Sequence, residues 1–217
     1  MCGRFAFYSQ LAAVAKRLKA QLPADTPSPR YNVSPGTWIT GVGHPAPDSE
    51  PTIDRYWWGY HPAWAGESAP SPINAKVEKV ATSNYYKGAF ARHRILIPAD
   101  GWYEWLPVDG RKQPHFICRE DREPIYLAAI WAERADGSPG CAILTEPARG
   151  IAAEIHSRMP VALDDESLEP WLDPHLTDRE SIRGAVGHLP AKLLTHWAVD
   201  RRVGNVKNDT ADLPNPA

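Results

Sequence analysis

Residues 92–105 read Arg92-His93-Arg94-Ile95-Leu96-Ile97-Pro98-Ala99-Asp100-Gly101-Trp102-Tyr103-Glu104-Trp105, and the pattern that follows this stretch decides the fold. Beyond it, short strand-like runs alternate with turn-rich pieces such as 108–110 and 135–137, which read Val-Asp-Gly and Ala-Asp-Gly. The runs cover residues 115–119, 125–131 and 141–145. Short strands separated by turns that contain Asp and Gly are typical of a β-sheet built from neighbouring strands.

Further strands are predicted on both sides of this region, at residues 38–42, 53–58 and 193–199. The clearest helix spans residues 9–22, with Ser9 as its cap. Five apolar residues share one face of that helix: Leu11, Val14, Ala15, Leu18 and Leu22. Two more short helices are expected, one over 148–155 and one that begins at Thr177, where Glu180 completes a capping box.

Strands outnumber helices, and this predicts an α+β fold with a mostly antiparallel, barrel-like β-sheet and short flanking helices. No linker is long enough to separate two cores, so we expect one domain over residues 1–217. Residues 209–217 are expected to form a polar tail.

The composition excludes several classes of protein. A net charge of −2 gives no bulk argument for nucleic-acid binding, so any such surface must be a local patch. Three widely spaced cysteines do not make a disulfide framework and fit a reducing compartment. No run is long and apolar enough to span a membrane, and no secretion signal is visible. We therefore expect a cytoplasmic protein without a membrane partner.

The first residues, Met1-Cys2-Gly3-Arg4-Phe5, contain an unusual chemical possibility. If Met1 is removed, Cys2 carries a thiol and a free α-amine, whose ordinary pKa values are about 8.5 and about 7.7–8.0. Such an aminothiol can condense with an aldehyde to an imine, which the thiol then closes to a five-membered thiazolidine ring. The alternative is an ordinary N-terminal cysteine, since chain termini often fray.

Glu104 is the most informative interior residue. In an extended strand Trp102 and Glu104 share one face, while Tyr103 and Trp105 share the other. A carboxylate walled by aromatic rings loses solvation, so its pKa should rise and it could donate a proton near neutral pH. A glutamate at the rim of the fold, paired with an arginine, is an equally good interpretation of the spacing.

His156 and Asn74 are weaker candidates by themselves. Histidine titrates in a useful range, but seven others are present and most must be surface residues. Asparagine suits turns, so Asn74 is by default a turn or buried residue. No CxxC pair, H-x-x-x-H pair or phosphate-binding glycine loop occurs, and we expect neither a metal nor a cofactor.

Taken together, these pieces identify the chain as resembling the SRAP (SOS-response-associated peptidase) family. The resemblance extends over about residues 2–208, and its motifs occur in the order of the family. They are residues 1–5, Arg30-Tyr31-Asn32-Val33-Ser34-Pro35-Gly36, Trp58-Gly59-Tyr60 with Pro62 and Trp64, Asn74-Ala75 with Glu78, residues 98–105, His156 with Arg158-Met159-Pro160, and Gly204-Asn205-Val206-Lys207-Asn208.

The resemblance implies a covalent reaction with abasic sites in single-stranded DNA, as part of the DNA damage response. Cys2 would be the nucleophile of a thiazolidine crosslink, after a peptidase-type, autocatalytic removal of Met1. Glu104 would open the sugar and move protons, His156 would hold the sugar or phosphate and assist protonation, and Asn74 would hold the N-terminal residue. We expect a monomer that associates with the nucleoid when it is bound to DNA.

The same resemblance implies a DNA-binding surface whose members lie in or beside the family motifs. They are Arg4, Trp64, Lys76, Arg158 and Lys207. The chain departs from the family at Lys76, where arginine is frequent, and at Asn84, where close relatives have another arginine. Lysine keeps the charge but loses bidentate phosphate geometry, and asparagine loses the charge. These departures bear on DNA affinity and leave the four chemical residues unchanged.

Two other functions remain possible from the sequence. One is a cysteine hydrolase with an N-terminal nucleophile, in which Cys2 attacks amides with its α-amine or His156 as base. The other is a non-covalent module for single-stranded DNA, in which tryptophans stack on unpaired bases. Only the crosslinking reaction requires both the thiol and the free amine.

Overall fold

The structure is a computed structural model, and it describes residues 2–217; Met1 lies outside the described residues. The strands are β1 (Phe5–Phe7), β2 (Arg30–Val33), β3 (Trp38–Gly43), β4 (Thr52–Trp58), β5 (Asn74–Lys76), β6 (Arg94–Ala99), β7 (Gly101–Val108), β8 (Arg111–Arg119), β9 (Ile125–Glu133), β10 (Pro139–Pro147), β11 (Arg158–Pro160) and β12 (Leu194–Ala198).

The helices are short and lie between the strands. They are α1 (Leu11–Leu18), α2 (Val77–Val80), α3 (Lys87–Arg92), α4 (Ala152–Ile155), α5 (Leu168–Leu172) and α6 (Arg179–Ala185), with 3₁₀ turns at Ala191–Leu193 and Arg201–Gly204. Among residues 2–217 no helix has the length and apolar character needed to cross a membrane.

The larger sheet closes on itself into a five-stranded barrel. β10 pairs with β4, β4 with β3, β3 with β6, β6 with β9, and β9 again with β10. Only the contact between β4 and β10 is parallel; the others are antiparallel. Closure leaves no open edge within this ring. The predicted α+β fold with a mostly antiparallel, barrel-like sheet is therefore confirmed.

β10 continues beyond the ring and carries two short strands. Thr145 pairs with Lys76 of β5 on one side and with Pro160 of β11 on the other. One strand therefore separates the segment that begins at Asn74 from the segment that follows His156. This arrangement decides how far apart those two side chains lie.

The smaller sheet is antiparallel, with strand order β12-β8-β7-β1-β2. Its inner face shares one hydrophobic cluster with the barrel: Trp102 and Ile117 pack with Trp58 and Ile143, and each is fully buried. Burial of this apolar area, at about 25 cal/mol per Å², is the main force that joins the two sheets. The shared cluster supports the single-domain interpretation, which stays a prediction.

Gly101 allows β7 and β8 to approach closely. A Cβ atom there would lie 2.4 Å from a ring carbon of Phe116 and 2.6 Å from the carbonyl oxygen of Ile117. Contacts this short cannot be accommodated without moving the backbone of β8. The glycine before Trp102 thus sets the spacing of the strand pair that carries Glu104.

The predicted helix at 9–22 is shorter than expected, although four of its five apolar residues are buried as predicted. Leu22 lies beyond the helix end and is 54% exposed, so its assignment to the buried face was wrong. Lys19, with φ of 50°, turns the chain out of the helix. Ser9 does not cap the helix, because its hydroxyl and its N–H both bond the carboxylate of Asp100.

Two other helix boundaries also differ from the prediction. The helix expected over 148–155 is confined to Ala152–Ile155. The helix expected to begin at Thr177 begins at Arg179, and its cap is Asp178, whose carboxylate accepts the N–H of Ser181 at 2.8 Å. The capping box at Thr177 was wrong because an aspartate one position later offers the stronger acceptor.

The C-terminal residues pack onto the smaller sheet. Leu213 is fully buried, and the indole N–H of Trp197 donates to the carbonyl oxygen of Pro214 at 2.8 Å. The main-chain N–H of Ala217 donates to Ala198 at 3.0 Å. The segment that reads as a polar tail in the sequence is thus attached to β12.

Arg94 allows a test of the packing between the barrel and the helices. It is buried, and its guanidinium donates to five main-chain carbonyl oxygens, those of Phe90 (3.0 Å), Ala91 (2.6 Å), Trp171 (2.7 Å), Asp173 (2.5 Å) and Leu176 (2.8 Å). We expect Arg94→Met to lower the free energy of unfolding by about 3–5 kcal/mol, because buried acceptors lose their donors. Urea denaturation measures this. Arg92→Met, at an exposed arginine, should change it by less than about 0.5 kcal/mol; equal effects would contradict the prediction.

Candidate active site

Cys2 lies inside the protein because the N-terminal segment pairs with β7. Phe5 pairs with Trp102, and the main-chain N–H of Tyr103 donates to the carbonyl oxygen of Arg4 at 2.9 Å. Gly3 precedes Arg4 and Glu104 follows Tyr103, so the same antiparallel register, continued one residue beyond Arg4 and Tyr103, brings Gly3 opposite Glu104. The Cys2 side chain is completely buried, in the cluster that the two sheets share.

Asn74 holds the main chain of Cys2. It begins β5, where pairing with Ile143 of β10 fixes its position. Its side-chain amide Nδ2 donates to the carbonyl oxygen of Cys2 at 2.9 Å. Its Oδ1 atom is buried and has no hydrogen-bond partner within residues 2–217. The amide therefore fixes residue 2 and keeps one acceptor available at the same place.

Glu104 is only 3% exposed, so the rim interpretation was wrong. Its neighbour Trp102 belongs to the cluster around Cys2, whereas Tyr103 belongs to a separate cluster on the opposite face, which Trp105 also contacts. The predicted alternation along this strand is confirmed. Burial raises the pKa of Glu104, and the positive charge of His156 opposes that rise. The carboxyl group is therefore disposed to hold a proton.

The thiol of Cys2 is disposed to stay neutral. Burial is the larger cause that raises its pKa, and the negative charge of nearby Glu104 adds to it. A buried neutral thiol is a poor nucleophile until its proton is removed. The arrangement thus favours a reaction in which another group acts before the thiol.

His156 follows α4 in an extended conformation, with φ of −150° and ψ of 150°. The main chain of Arg158 approaches its ring from one side: the N–H lies 2.9 Å from Nδ1 and the carbonyl oxygen 3.1 Å. Nδ1 can accept from the first when the ring is neutral and donate to the second when it is protonated. These two contacts hold the half-buried ring in its place beside β11.

The structure separates the five predicted DNA-binding residues into two groups. Trp64 is 67% exposed and packs edge-on against Tyr85 at a centroid distance of 5.5 Å. Lys76 and Lys207 are also exposed. These three side chains are accessible to a polyanion in solution.

Arg4 and Arg158 instead contact the protein. Arg4 donates from Nη1 to Asn32 Oδ1 at 2.8 Å and to the carbonyl oxygen of Val203 at 2.7 Å. Arg158 binds the carboxylate of Glu78 through both terminal nitrogens, at 2.5 and 3.1 Å. Any role of these two arginines in DNA binding must be compatible with those bonds.

Sequence reasoning gave no role to Glu78 and Asn32, although both stand inside quoted motifs. Asn32 is fully buried and reaches the carbonyl oxygens of Val203, Asn205 and Asn208. Nothing local in the sequence pairs either residue with its distant partner.

The described residues contain no group of three or more His, Cys, Asp and Glu side chains that could hold a metal ion. Cys118 and Cys141 are buried free thiols, and Cys141 shares the cluster around Cys2. The side chains placed around residue 2 are a thiol, a carboxyl group, an imidazole and an amide.

Comparison with known proteins places the chain in a family. The family described as SOS response associated peptidase (SRAP) matches residues 1–206. The abasic site processing protein YedK of Escherichia coli (strain K12) is 38% identical, and the alignment covers both chains completely. The abasic site processing protein HMCES of Gallus gallus is 30% identical over 87% of this chain and 66% of that protein. A crystal structure of a phage-related protein from Bordetella bronchiseptica superposes with a TM-score of 0.75 and 32% identity, over 92% of this chain and 95% of that one.

The hydrogen bond from Asn74 to the carbonyl oxygen of Cys2 should oppose local opening of the N-terminal segment, and the reactivity of the Cys2 thiol tests this. Asn74→Ala should raise the rate at which iodoacetamide alkylates Cys2 in the folded protein by about 2-fold to 10-fold, because one hydrogen bond opposes local opening. Peptide mass mapping separates Cys2 from the other two thiols. Asn215→Ala, at an exposed asparagine, is the control; an unchanged rate in Asn74→Ala would show that β1 pairing alone holds the segment.

Proposed function

The chain belongs to the SOS response associated peptidase family, and on that premise we propose that it processes abasic sites in single-stranded DNA by forming a covalent crosslink through Cys2. The observation that carries this proposal is the burial of residue 2 beside Glu104, with its carbonyl oxygen held by Asn74. A protein that only binds DNA has no need to hold its second residue in this way.

The proposed reaction has two bond-forming steps. The α-amine of Cys2 attacks the aldehyde of the ring-opened deoxyribose and loses water to give an imine. The thiol then adds across the C=N bond, so that sulfur bonds the former aldehyde carbon and nitrogen takes up a proton. A neutral thiol fits this order, because the amine acts first and the thiol is needed only once the imine lies beside it.

Removal of Met1 must come before this reaction, because a peptide bond at Cys2 leaves no free α-amine. Met1 lies outside the described residues, and its removal is part of the proposal. An autocatalytic cleavage is compatible with the groups nearby, since Glu104 and His156 are a carboxyl group and an imidazole that interact. The intact mass of the active protein measures whether Met1 is absent.

Each of the other three residues has a role suited to its surroundings. Glu104, whose pKa burial raises, donates a proton as the sugar opens and as water leaves. The main-chain N–H of Arg158 holds Nδ1 of His156 in place, and the imidazole moves a proton in the reaction from that fixed position. The buried Oδ1 of Asn74 accepts from the incoming sugar or from the amine.

The DNA strand would be held by exposed side chains around the site. Trp64 can stack on an unpaired base, and Lys76 and Lys207 can contact phosphates. Arg4 and Arg158 would act from within their present contacts. We expect a monomer to be sufficient, since the four chemical residues come from one chain.

The first test separates the functions by the nucleophile of residue 2. The parent protein should give an adduct with abasic single-stranded DNA that survives denaturing electrophoresis. Cys2→Ala keeps the amine and loses the thiol, so its adduct should survive only after borohydride reduction. Cys118→Ala, at a thiol on the smaller sheet away from the site, should behave as the parent does.

Three outcomes would contradict the proposal. A covalent band from neither protein would favour a non-covalent module. Turnover of added peptides that Cys2→Ala abolishes would favour a thiol hydrolase. An unreduced adduct from Cys2→Ala as abundant as that of the parent would exclude the thiazolidine.

Glu104→Gln should have opposite effects on rate and on stability. Crosslinking should slow by about 10²–10⁴-fold, the usual contribution of general acid–base catalysis. The raised pKa favours the protonated carboxyl, so the stability that this group contributes is present at low pH and is lost as pH rises through its folded-state pKa. The variant should therefore unfold at higher urea than the parent at alkaline pH, by about 1.4 kcal/mol for each unit of the pKa shift.

Glu120→Gln, at an exposed glutamate in the turn after β8, is the control and should change neither quantity. A crosslinking rate equal to that of the parent would mean that Glu104 is structural. A loss of stability at alkaline pH would show that the ionised carboxylate is the favoured form.

A further inference from the structure

Glu78 and Arg158 form an ion pair that crosses β10. Arg158 donates from Nη1 and Nη2 to the two oxygens of Glu78, at 2.5 and 3.1 Å, which is the bidentate geometry of a strong arginine–carboxylate pair. Nη2 also donates to Thr145, at 2.6 Å to the carbonyl oxygen and 3.3 Å to the hydroxyl. The guanidinium therefore lies over Thr145 with its partner on the far side.

The segments joined by this pair are those that carry two of the site residues. Glu78 is in α2, which follows directly after β5 and its first residue, Asn74. Arg158 begins β11, two residues after His156. β5 and β11 pair with opposite sides of β10 and do not pair with each other. The ion pair is thus a direct side-chain link between them.

The link continues to the imidazole ring. The main-chain N–H of Arg158 lies 2.9 Å from Nδ1 of His156, so the position of Arg158 sets the orientation of the ring. On the other side, Asn74 holds the carbonyl oxygen of Cys2. Changing the distance between Glu78 and Arg158 would therefore change the placement of His156 relative to residue 2.

From these contacts we infer that Glu78 is a positioning residue for the crosslinking reaction, and that it acts by holding Arg158 across β10. The inference rests on the proposed function. Glu78 does not touch the reacting atoms; its carboxylate fixes the guanidinium, and the guanidinium fixes β11 and the ring of His156. A displacement of about 1 Å at a reacting group can cost up to about 10²-fold in rate.

The same geometry leaves a donor available for DNA. Arg158 has five N–H groups, of which Glu78 and Thr145 occupy those directed toward β10. Nε is buried without a hydrogen-bond partner within residues 2–217, and the second Nη1 hydrogen takes part in none of these bonds. It is therefore the donor that we expect a phosphate to use without release of Glu78. Glu78 therefore orients Arg158 for such a contact. If Glu78 instead competed with the phosphate for Arg158, Glu78→Gln would lower the half-saturating concentration of protein.

The test measures single-turnover crosslinking of labelled abasic single-stranded DNA over a range of protein concentrations. This gives the maximal rate and the half-saturating concentration separately. Glu78→Gln should lower the maximal rate by about 10-fold to 100-fold. It should change the half-saturating concentration by less than about 3-fold and leave the urea midpoint of unfolding close to that of the parent, because Glu78 is itself exposed. Glu180→Gln breaks an exposed pair with Arg183 and should leave both kinetic quantities unchanged.

A second comparison assigns the effect to Arg158. If Glu78 acts through that arginine alone, Glu78→Gln added to Arg158→Met should lower the maximal rate no further than Arg158→Met does. Multiplying effects would show that Glu78 acts by another route. A partial recovery in Glu78→Asp, which keeps the charge on a shorter side chain, is also expected.

Three results would overturn the inference while leaving the proposed function intact, because the parent protein would still crosslink. The first is a maximal rate in Glu78→Gln equal to that of the parent. The second is a lower half-saturating concentration, which would mark Glu78 as a competitor of the phosphate. The third is a loss of rate that occurs only at temperatures at which the variant unfolds. Absence of an adduct from the parent itself would instead overturn the proposed function.

Discussion

The pairing of β1 with β7 is the constraint on which the candidate site depends. A chemical group at the second residue of a chain is useful only if that end is held, and termini ordinarily fray. Here the N–H of Tyr103 binds the carbonyl oxygen of Arg4, and Asn74 binds that of Cys2. The first strand is only three residues long, so it depends on side-chain contacts as well as on its ladder. Gly101 contributes by letting β7 lie close to β8, which keeps the strand beneath residue 2 in place.

A buried asparagine connects this N-terminal strand with the other end of the chain. Asn32, in β2, accepts from Arg4 at 2.8 Å and reaches main-chain oxygens of the segment 203–208. Asp209 completes the connection by accepting the main-chain N–H groups of Tyr31 and Asn32, at 2.5 and 2.9 Å. The distant Gly204–Asn208 motif therefore supports the segment that carries Cys2. A buried amide with every hydrogen bond made is specific as well as stabilising, because few other arrangements satisfy it.

The electrostatics of the site follow from the same burial. A thiol and a carboxyl group side by side in an apolar cluster both favour their neutral forms, and each would raise the pKa of the other further if it ionised. Such an environment lowers the stability of the folded protein at any pH at which the carboxyl of Glu104 is ionised. It also keeps a proton on that carboxyl, where the proposed condensation needs one. The half-buried imidazole of His156 offsets part of that cost. Sites of this kind are common where a fold gives up stability for chemistry.

Sequence periodicity by itself determined the strand-rich α+β class and the strands near 38–42, 53–58, 115–119, 125–131, 141–145 and 193–199. It also determined the alternation that places Trp102 and Glu104 on one face and Tyr103 on the other. These properties depend on neighbouring residues, whose spacing a sequence shows directly. Helix ends were less well predicted, since Asp178 and Asp100 provide acceptors that compete for the same local N–H and hydroxyl groups. Only the tertiary structure decided that β4 and β10 lie parallel and close the barrel, and that Arg158 binds Glu78. The family resemblance implied that Asn74 holds the N-terminal residue, and the structure shows the bond by which it reaches Cys2. Each of these contacts joins residues far apart along the chain, and their partners are chosen by the packing of the whole fold, which no local pattern records.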